Sequence, residues 1–284
     1  MSLVLFTAAG CTRCAIAKRF MVQKGLAYDE HDAAGEGKEV FGQFYRAHRS
    51  AIFRGKEGIE FPVLAQGGEI RQGVARAIAW LQCGTRLDGF IGRSERSKGW
   101  VGSLLVSGGD PAAADELAVV LGFLKKSGLK LQLSTDGRNA ATLGRLLELG
   151  LGDRVVMDLK GPPPLYAALI GTPIETEEVN RSMALVARFP EYRFETTVAP
   201  VARAEGDPGG IRNLTPEEVA ATAQWLQAAT GSHRQPYFLR IFDPQEGPDD
   251  RFRSVEMLPP NALFRHRTAA RKHQVLTEIQ ATAT

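Results

Sequence analysis

Apolar and polar positions follow two different rhythms along this chain, and the change of rhythm falls near residue 85. Leu3-Val4-Leu5-Phe6 is a short unbroken apolar run, the pattern of a buried strand. Ala15 to Gln23 then puts Ile16, Phe20 and Met21 on one stripe and leaves Lys18 and Arg19 off it, which predicts a helix. Leu26 to Asp32 reads as a short, mostly polar strand. Lys38 to His48 carries Val40, Phe41, Phe44 and Tyr45 at helical spacing, and residues 50–60 read as an irregular basic loop. Ile59 to Leu64 is a strand interrupted by Pro62, a residue tolerated there only at an edge, a bulge or a cis turn. Gly67-Gly68 signals a hairpin into Glu69 to Gln72. Val74 to Gln82 closes the segment as a helix with Ala75, Ile78 and Leu81 on one face.

Leu87 to Lys98 is polar and charged, and the domain boundary is placed there. Beyond it, short apolar runs alternate with helical stretches. Strands are predicted at Ser103–Ser107, Leu129–Ser134, Asp153–Asp158, Arg193–Val198 and, last, Tyr237–Ile241. Helices are predicted at Ala113–Ser127, Ala140–Leu149 and Glu177–Phe189. Another opens on the capping box Thr215-Pro-Glu-Glu218 and runs to Thr230. Strands alternating with helices imply a parallel sheet with crossover connections. Five strands fall short of an eight-unit barrel. The expected fold class is therefore α/β, with a smaller domain over residues 1–84 and a partial (β/α) barrel over 85–284. Residues 206–213, with Pro208, Gly209 and Gly210, read as a linker, and the basic stretch 264–273 as the solvated face of a terminal helix.

Composition changes this picture little. Hydrophobic residues make up 44% and charged residues 24%, the balance of a soluble globular protein. A net charge of +3, spread along the chain, gives no reason to expect nucleic acid as a partner. No run suits a signal peptide or a bilayer span, so no membrane partner is expected. Three cysteines suit a reducing, cytoplasmic setting better than a disulfide-stapled secreted scaffold.

The candidate chemistry sits in Phe6-Thr-Ala-Ala-Gly-Cys-Thr-Arg-Cys14. Cys11 falls at the start of the first predicted helix and Cys14 in its first turn. Unbonded N–H groups there favour a thiolate at Cys11, and Arg13 adds positive charge. Cys14 is placed to close a disulfide and release a mixed-disulfide partner. The other readings of the pair are half a zinc site or two buried thiols, and zinc would need further ligands that no second CxxC supplies. His31, His48, His233, His266 and His273 fit no metal-ligand spacing, so no metal site is expected and surface roles are assigned to them. In the second segment, Gly108, Gly109, Asp110, Ser134, Thr135, Asp136, Asp158 and Lys160 collect at predicted strand ends, where parallel α/β folds bind ligands. Turn chemistry explains the same residues equally well.

Residues 1–84 resemble the glutaredoxin branch of the thioredoxin fold through Cys11-Thr-Arg-Cys14, the Phe61-Pro62 step and Gly67-Gly68. That resemblance implies a cis proline facing the dithiol, Cys11 as nucleophile and Cys14 as resolving thiol. It also implies a substrate groove formed by Arg13, Phe61, Pro62, Gly67 and Gly68, with glutathione as a reductant. Thr12-Arg13 and Phe61 depart from the residues usual at those places, beside the glutathione contacts. Residues 102–247 resemble the radical S-adenosylmethionine activating enzymes in the order Ser107-Gly-Gly-Asp-Pro111, Ser134-Thr-Asp-Gly137 and Val156-Met-Asp-Leu-Lys160. This implies S-adenosylmethionine contacts at Gly108, Gly109, Asp110, Ser134, Thr135, Asp158 and Lys160. The CxxxCxxC loop of those enzymes is absent, since no cysteine follows Cys83. An iron–sulfur cluster then lacks its usual thiolates. The resulting expectation is a thiol–disulfide oxidoreductase acting on a thiol or disulfide substrate, including a protein. The second domain would be a cluster-free scaffold for substrate or S-adenosylmethionine. The alternatives are a radical enzyme with an unusual cluster on Cys11, Cys14 and Cys83, and a non-catalytic binding module.

Overall fold

The computed structural model describes residues 2–93, 99–202, 211–244, 252, 253 and 255–280. The chain divides into two units, Met1–Leu133 with Glu148–Asp153, and Ser134–Leu147 with Arg154–Thr284.

The first unit begins with β1 (Val4–Thr7), α1 (Thr12–Gln23), β2 (Asp29–Asp32) and α2 (Lys38–Ala47). A small hairpin of β3 (Arg54–Gly55) and β4 (Gly58–Ile59) follows, then β5 (Val63–Gln66), β6 (Glu69–Gln72) and α3 (Val74–Cys83). The hairpin occupies the stretch expected to be an irregular loop. The four-stranded sheet has the order β2-β1-β5-β6. β2 runs parallel to β1, whereas β5 is antiparallel to both β1 and β6. The unbroken apolar run of β1 is explained by burial on both faces. Leu3, Leu5 and Leu64 pack against Met21 of α1 and Ala77 of α3. Phe6 and Val63 point the other way, into Phe41 of α2 and Ile52. Strand periodicity sends Leu5 and Phe6 to opposite cores, and burying each contributes roughly 2 kcal/mol.

The first unit continues past residue 84 through β7 (Trp100–Leu105), α4 (Ala114–Lys126) and the start of β8 (Lys130–Thr135). The physical link is aromatic: Phe20 of α1 meets Phe123 of α4 edge-on at 5.0 Å, and the Arg19 guanidinium lies over the same ring. β7 lies earlier than the predicted Ser103–Ser107 strand, because Val106–Gly108 winds into a 3-10 turn. Of the boundary stretch, Ile91 bridges Leu104, and residues 94–98 lie outside the described residues.

The second unit holds α5 (Ala140–Glu148, most of it), β9 (Arg154–Asp158), α6 (Pro163–Ile170), α7 (Thr176–Val186) and β10 (Glu191–Val198). After these come the short pair β11 (Pro200–Ala202) and β12 (Ile211–Asn213), then α8 (Pro216–Thr230), β13 (Tyr237–Ile241), α9 (Leu263–Ala270) and β14 (Glu278–Ile279). Residues 206–210 of the expected linker lie outside the described residues. The six-stranded sheet has the order β14-β13-β10-β9-β8-β7, and its pairings β9–β10, β10–β13 and β13–β14 are parallel. The fold is thus mixed α/β with a parallel sheet consistent with a partial barrel. Tyr237–Ile241 is not its last strand. Glu278 and Ile279 add a sixth, too short to leave a periodic signal. Helix α6 was also invisible, because its N-cap Pro162 and its first two residues, Pro163 and Pro164, carry no helical signal. Proline is in fact favourable in a first helical turn.

Candidate functional site

Cys11 is the N-cap of α1, with extended backbone angles (φ −75°, ψ 102°). Its Sγ accepts the backbone N–H of Cys14 at 3.1 Å. The first turn of α1 holds no acidic residue. The helix N-terminus therefore presents its partial positive charge to this sulfur with no carboxylate of its own first turn opposing it. Cys11 and Cys14 are joined in a disulfide with their Cα atoms 5.3 Å apart. The two sulfurs differ in access: Cys14 is 2% exposed, whereas Cys11 is only half-buried. A partner in solution reaches Cys11 first.

The Phe61–Pro62 peptide is cis, and the Phe61 carbonyl oxygen lies 3.9 Å from Cys11 Sγ. One residue earlier, Glu60 turns inward. It is 5% exposed and forms an ion pair with Arg13, itself 12% exposed. Arg13 also donates to the Trp100 carbonyl at 2.5 Å. Gly73 completes the arrangement. Its φ of +86° and the Glu60 carboxylate, 3.1 Å from where a Cβ would stand, both demand glycine. Phe61 and Pro62 thus lie beside the disulfide. Arg13 is committed to Glu60 and Trp100. Gly67 and Gly68 form the β5–β6 turn, the length of strand β5 away from Pro62.

A cavity of about 490 Å³ opens on Cys11 and Cys14 and is bordered by Ala8, Lys18, Glu30 and Asp32. Lys18 is paired with Glu30 at 3.0 Å. The third cysteine, Cys83, donates its S–H to the Ala79 carbonyl at 3.4 Å. Burial, reinforced by the carboxylate of Glu116, pushes its thiol pKa up, the opposite of what reactivity requires.

The strand-end residues of the other segment have local partners. In the first unit, a Cβ on Gly109 would collide with the Phe90 ring, and one on Gly108 with the Gly89 carbonyl. Both glycines are needed for that packing. Asp110 caps the turn Pro111–Ala113 by accepting from the Ala112 N–H at 2.9 Å. In the second unit, Thr135 Oγ1 accepts from the Gly137 N–H at 3.1 Å, and Asp136 grips Arg138 with both oxygens. Ser134, just before them, is half-buried. Asp158 pairs with Lys160 at 2.5 Å, and its other oxygen is buried with no hydrogen-bond partner among the described residues. Beside Asp158 in the sheet register stands Glu195, 3% exposed and bracketed by Arg193 and Arg240. The buried Tyr166 donates to the Asp136 carbonyl at 2.7 Å, and burial drives its pKa well up.

Sequence reasoning missed Glu60, Glu195 and Tyr166. Their only signal was a charge or hydroxyl at an inward-facing strand position or in an unanticipated helix. It also misplaced His266, which is buried, its ring nitrogens 3.1 Å from the Ala262 carbonyl and 2.9 Å from that of Leu214. Of the three cysteines, Cys11 and Cys14 are joined to each other and Cys83 is bonded within its own helix. Among the described residues, no three His, Cys, Asp or Glu side chains gather as a metal would require. Among the same residues, no helix is long and apolar enough to cross a membrane.

No protein-family model and no curated protein matches the sequence. Among solved structures, the chain is similar to a domain of pyruvate-formate lyase-activating enzyme from Bacteroides vulgatus ATCC 8482. The sequences are 15% identical, the TM-score is 0.42, and the match covers 64% of this chain and 100% of that one.

Proposed function

We propose that the chain is a thiol–disulfide oxidoreductase whose first 84 residues form a thioredoxin-like domain of the glutaredoxin branch. The single observation that carries this reading is the pairing of an accessible Cys11 sulfur, at a helix N-terminus, with a buried Cys14 beside a cis-proline turn. The sheet order β2-β1-β5-β6, with one parallel and two antiparallel pairings, supports it.

In the reduced protein the Cys11 thiolate attacks one sulfur of a substrate disulfide. The substrate S–S bond breaks, and its distal sulfur leaves as a thiolate that takes a proton from water. The Cys14 thiol loses its proton and attacks Cys11 Sγ, which expels the second substrate sulfur and closes the Cys11–Cys14 bond. Two electrons and two protons pass to the substrate, and an external dithiol restores the reduced pair. The parallel sheet of the other segment serves as a scaffold in this reading, with no chemistry assigned to it.

The test is stoichiometric reduction of bis(2-hydroxyethyl) disulfide by the pre-reduced protein. Cys11→Ser is expected to abolish it. Cys14→Ser is expected to stop after the first exchange and accumulate a mixed disulfide visible by mass. Unchanged turnover in Cys11→Ser would overturn the proposal.

A further inference from the structure

We propose that the substrate of this dithiol is a peptide or protein disulfide carrying an aromatic or branched aliphatic residue next to its half-cystine. That side chain would be held in the cavity beside Phe61. The inference rests on the oxidoreductase reading and adds to it the class of substrate.

The geometry starts from the alternation around Glu60. With Glu60 turned inward to Arg13, its neighbours Ile59 and Phe61 face the other way, into a cavity of about 880 Å³. Phe41 and Tyr45 of α2 supply more of the wall. The Phe41 ring lies 5.3 Å from Phe61 and 6.2 Å from Tyr45, so three aromatic rings line one side. Gly42 lies between them on the same helix and leaves room. The volume is in the range that encloses small molecules and large side chains. Ala8 borders both this cavity and the one that opens on Cys11 and Cys14. The Phe61 carbonyl lies 3.9 Å from Cys11 Sγ, so a chain disulfide-bonded to Cys11 that runs along this step brings its next side chain toward the aromatic wall.

Charge selects between substrates. Glutathione would bring two carboxylates. Arg13, between the two cysteines in the chain, and Lys18, on the wall of their cavity, are already ion-paired with Glu60 and Glu30. Asp32, on the same cavity wall, adds negative charge. The rim of the larger cavity mixes Lys38, Arg46 and Arg54 with Glu36 and Glu39, a surface suited to a peptide of either sign. The local field therefore gives an anionic tripeptide little, while the aromatic wall rewards an apolar side chain with its transfer free energy.

The experiment compares single-turnover rates of the pre-reduced full chain on four disulfides. These are the dimers of N-acetyl-Phe-Cys-amide and N-acetyl-Gly-Cys-amide, glutathione disulfide, and bis(2-hydroxyethyl) disulfide. The Phe dimer is expected to react about tenfold faster than the Gly dimer and glutathione disulfide, the gain from partial burial of one ring. Gly42→Leu tests the cavity directly. A Cβ there meets only Arg46 Nη1, at 3.8 Å, and replacing a helical glycine favours the helix. The variant is expected to melt no lower than the parent and to lose the tenfold preference. Equal rates on the Phe and Gly dimers, or a preference that survives Gly42→Leu, would overturn the cavity assignment and leave the oxidoreductase reading standing. No reaction with any of the four disulfides would remove both.

Discussion

The surroundings of Cys11 and the strand-end residues of the second unit are both polar clusters, yet they are assembled differently. Around Cys11, side chains and carbonyls arrive from the β1–α1 turn, the Glu60–Pro62 step, Gly73 and Trp100, separated by up to 87 positions in the chain. At the strand ends of the second unit, Asp136 with Arg138 and Asp158 with Lys160 are answered two residues away. Local pairs form whenever a turn forms, and they cost the fold little. Long-range convergence orders several segments for one small volume, and that entropy must be offset by something the fold requires. The contrast separates a built site from ordinary turn chemistry better than residue type does. One group in the second unit stands on the built side of the line. Glu195 is buried and is bracketed by Arg193 and, 45 positions away, Arg240.

The largest effect is expected at the built site. Glu60→Ala takes from Arg13 the buried carboxylate it is paired with, and breaking a buried pair from one side costs about 3 kcal/mol. Urea unfolding of the reduced protein measures it, and a loss below about 1 kcal/mol would place this pair with the local ones. Freed of Glu60, Arg13 adds its charge to the field at Cys11, so alkylation of Cys11 at fixed pH should accelerate severalfold in Glu60→Gln. Glu195→Ala should cost less, about 1–2 kcal/mol, because Arg193 and Arg240 are each more than a third exposed and can turn to water. Urea unfolding reads this too, and a cost equal to that of Glu60→Ala would erase the ranking.

These differences explain what the sequence could reveal. Cys11, Cys14 and Pro62 were legible because each carries a local signature: a spacing, a helix start and a proline in a strand. The elements around them followed in part from periodicity: α3 ends one residue beyond its expected end, whereas β5 starts at Val63, four residues after the expected strand. Arg13 was recognised, but its partner was not. Glu60 announces nothing at a position where Ile59 and Phe61 dominate the pattern, and only the folded chain brings it to Arg13. The glycines at 108 and 109 carry a signal with two readings. A diglycine before an acidic residue and a proline looks like a ligand cradle, and the fold also needs glycine there, at 109 for the Phe90 ring and at 108 for the Gly89 carbonyl. Close approach of backbone demands glycine whether the visitor is a cofactor or the protein's own ring. β14 and α6 escaped because two residues cannot show a period and three prolines hide one.

Smaller effects belong to the local class. The α8 capping box joins Thr215 to Glu218, and Glu218 also receives Arg212. Thr215→Ala should cost about 1 kcal/mol by thermal unfolding. Burial alone would raise the Glu218 pKa. The Arg212 ion pair and the Thr215 N–H outweigh it and hold the carboxyl below its ordinary value. A depressed carboxyl contributes stability above its unfolded pKa, about 4.3, and loses it as pH falls through the folded value. The stability gap between the parent and Glu218→Gln should therefore be constant near neutrality and shrink below about pH 4. A gap independent of pH would show that the box acts through shape rather than charge.

The smallest change is expected where the sequence motif looked most functional. Asp158 and Lys160 are each about one-third exposed, 34% and 36%, and solvent screens their attraction. Lys160→Met should move stability by less than about 1 kcal/mol, since water can replace the ammonium at Asp158 Oδ2. The buried Oδ1, which has no hydrogen-bond partner among the described residues, keeps its cost in both proteins and cancels from the difference. Added salt should weaken the parent slightly and leave the variant unchanged, because only the parent has the screened pair. A loss of 3 kcal/mol or more, insensitive to salt, would mean that Lys160 neutralises the buried side of Asp158 together with Glu195 beside it. The strand-end charges of the second unit would then rank with the Arg13–Glu60 pair as a built site.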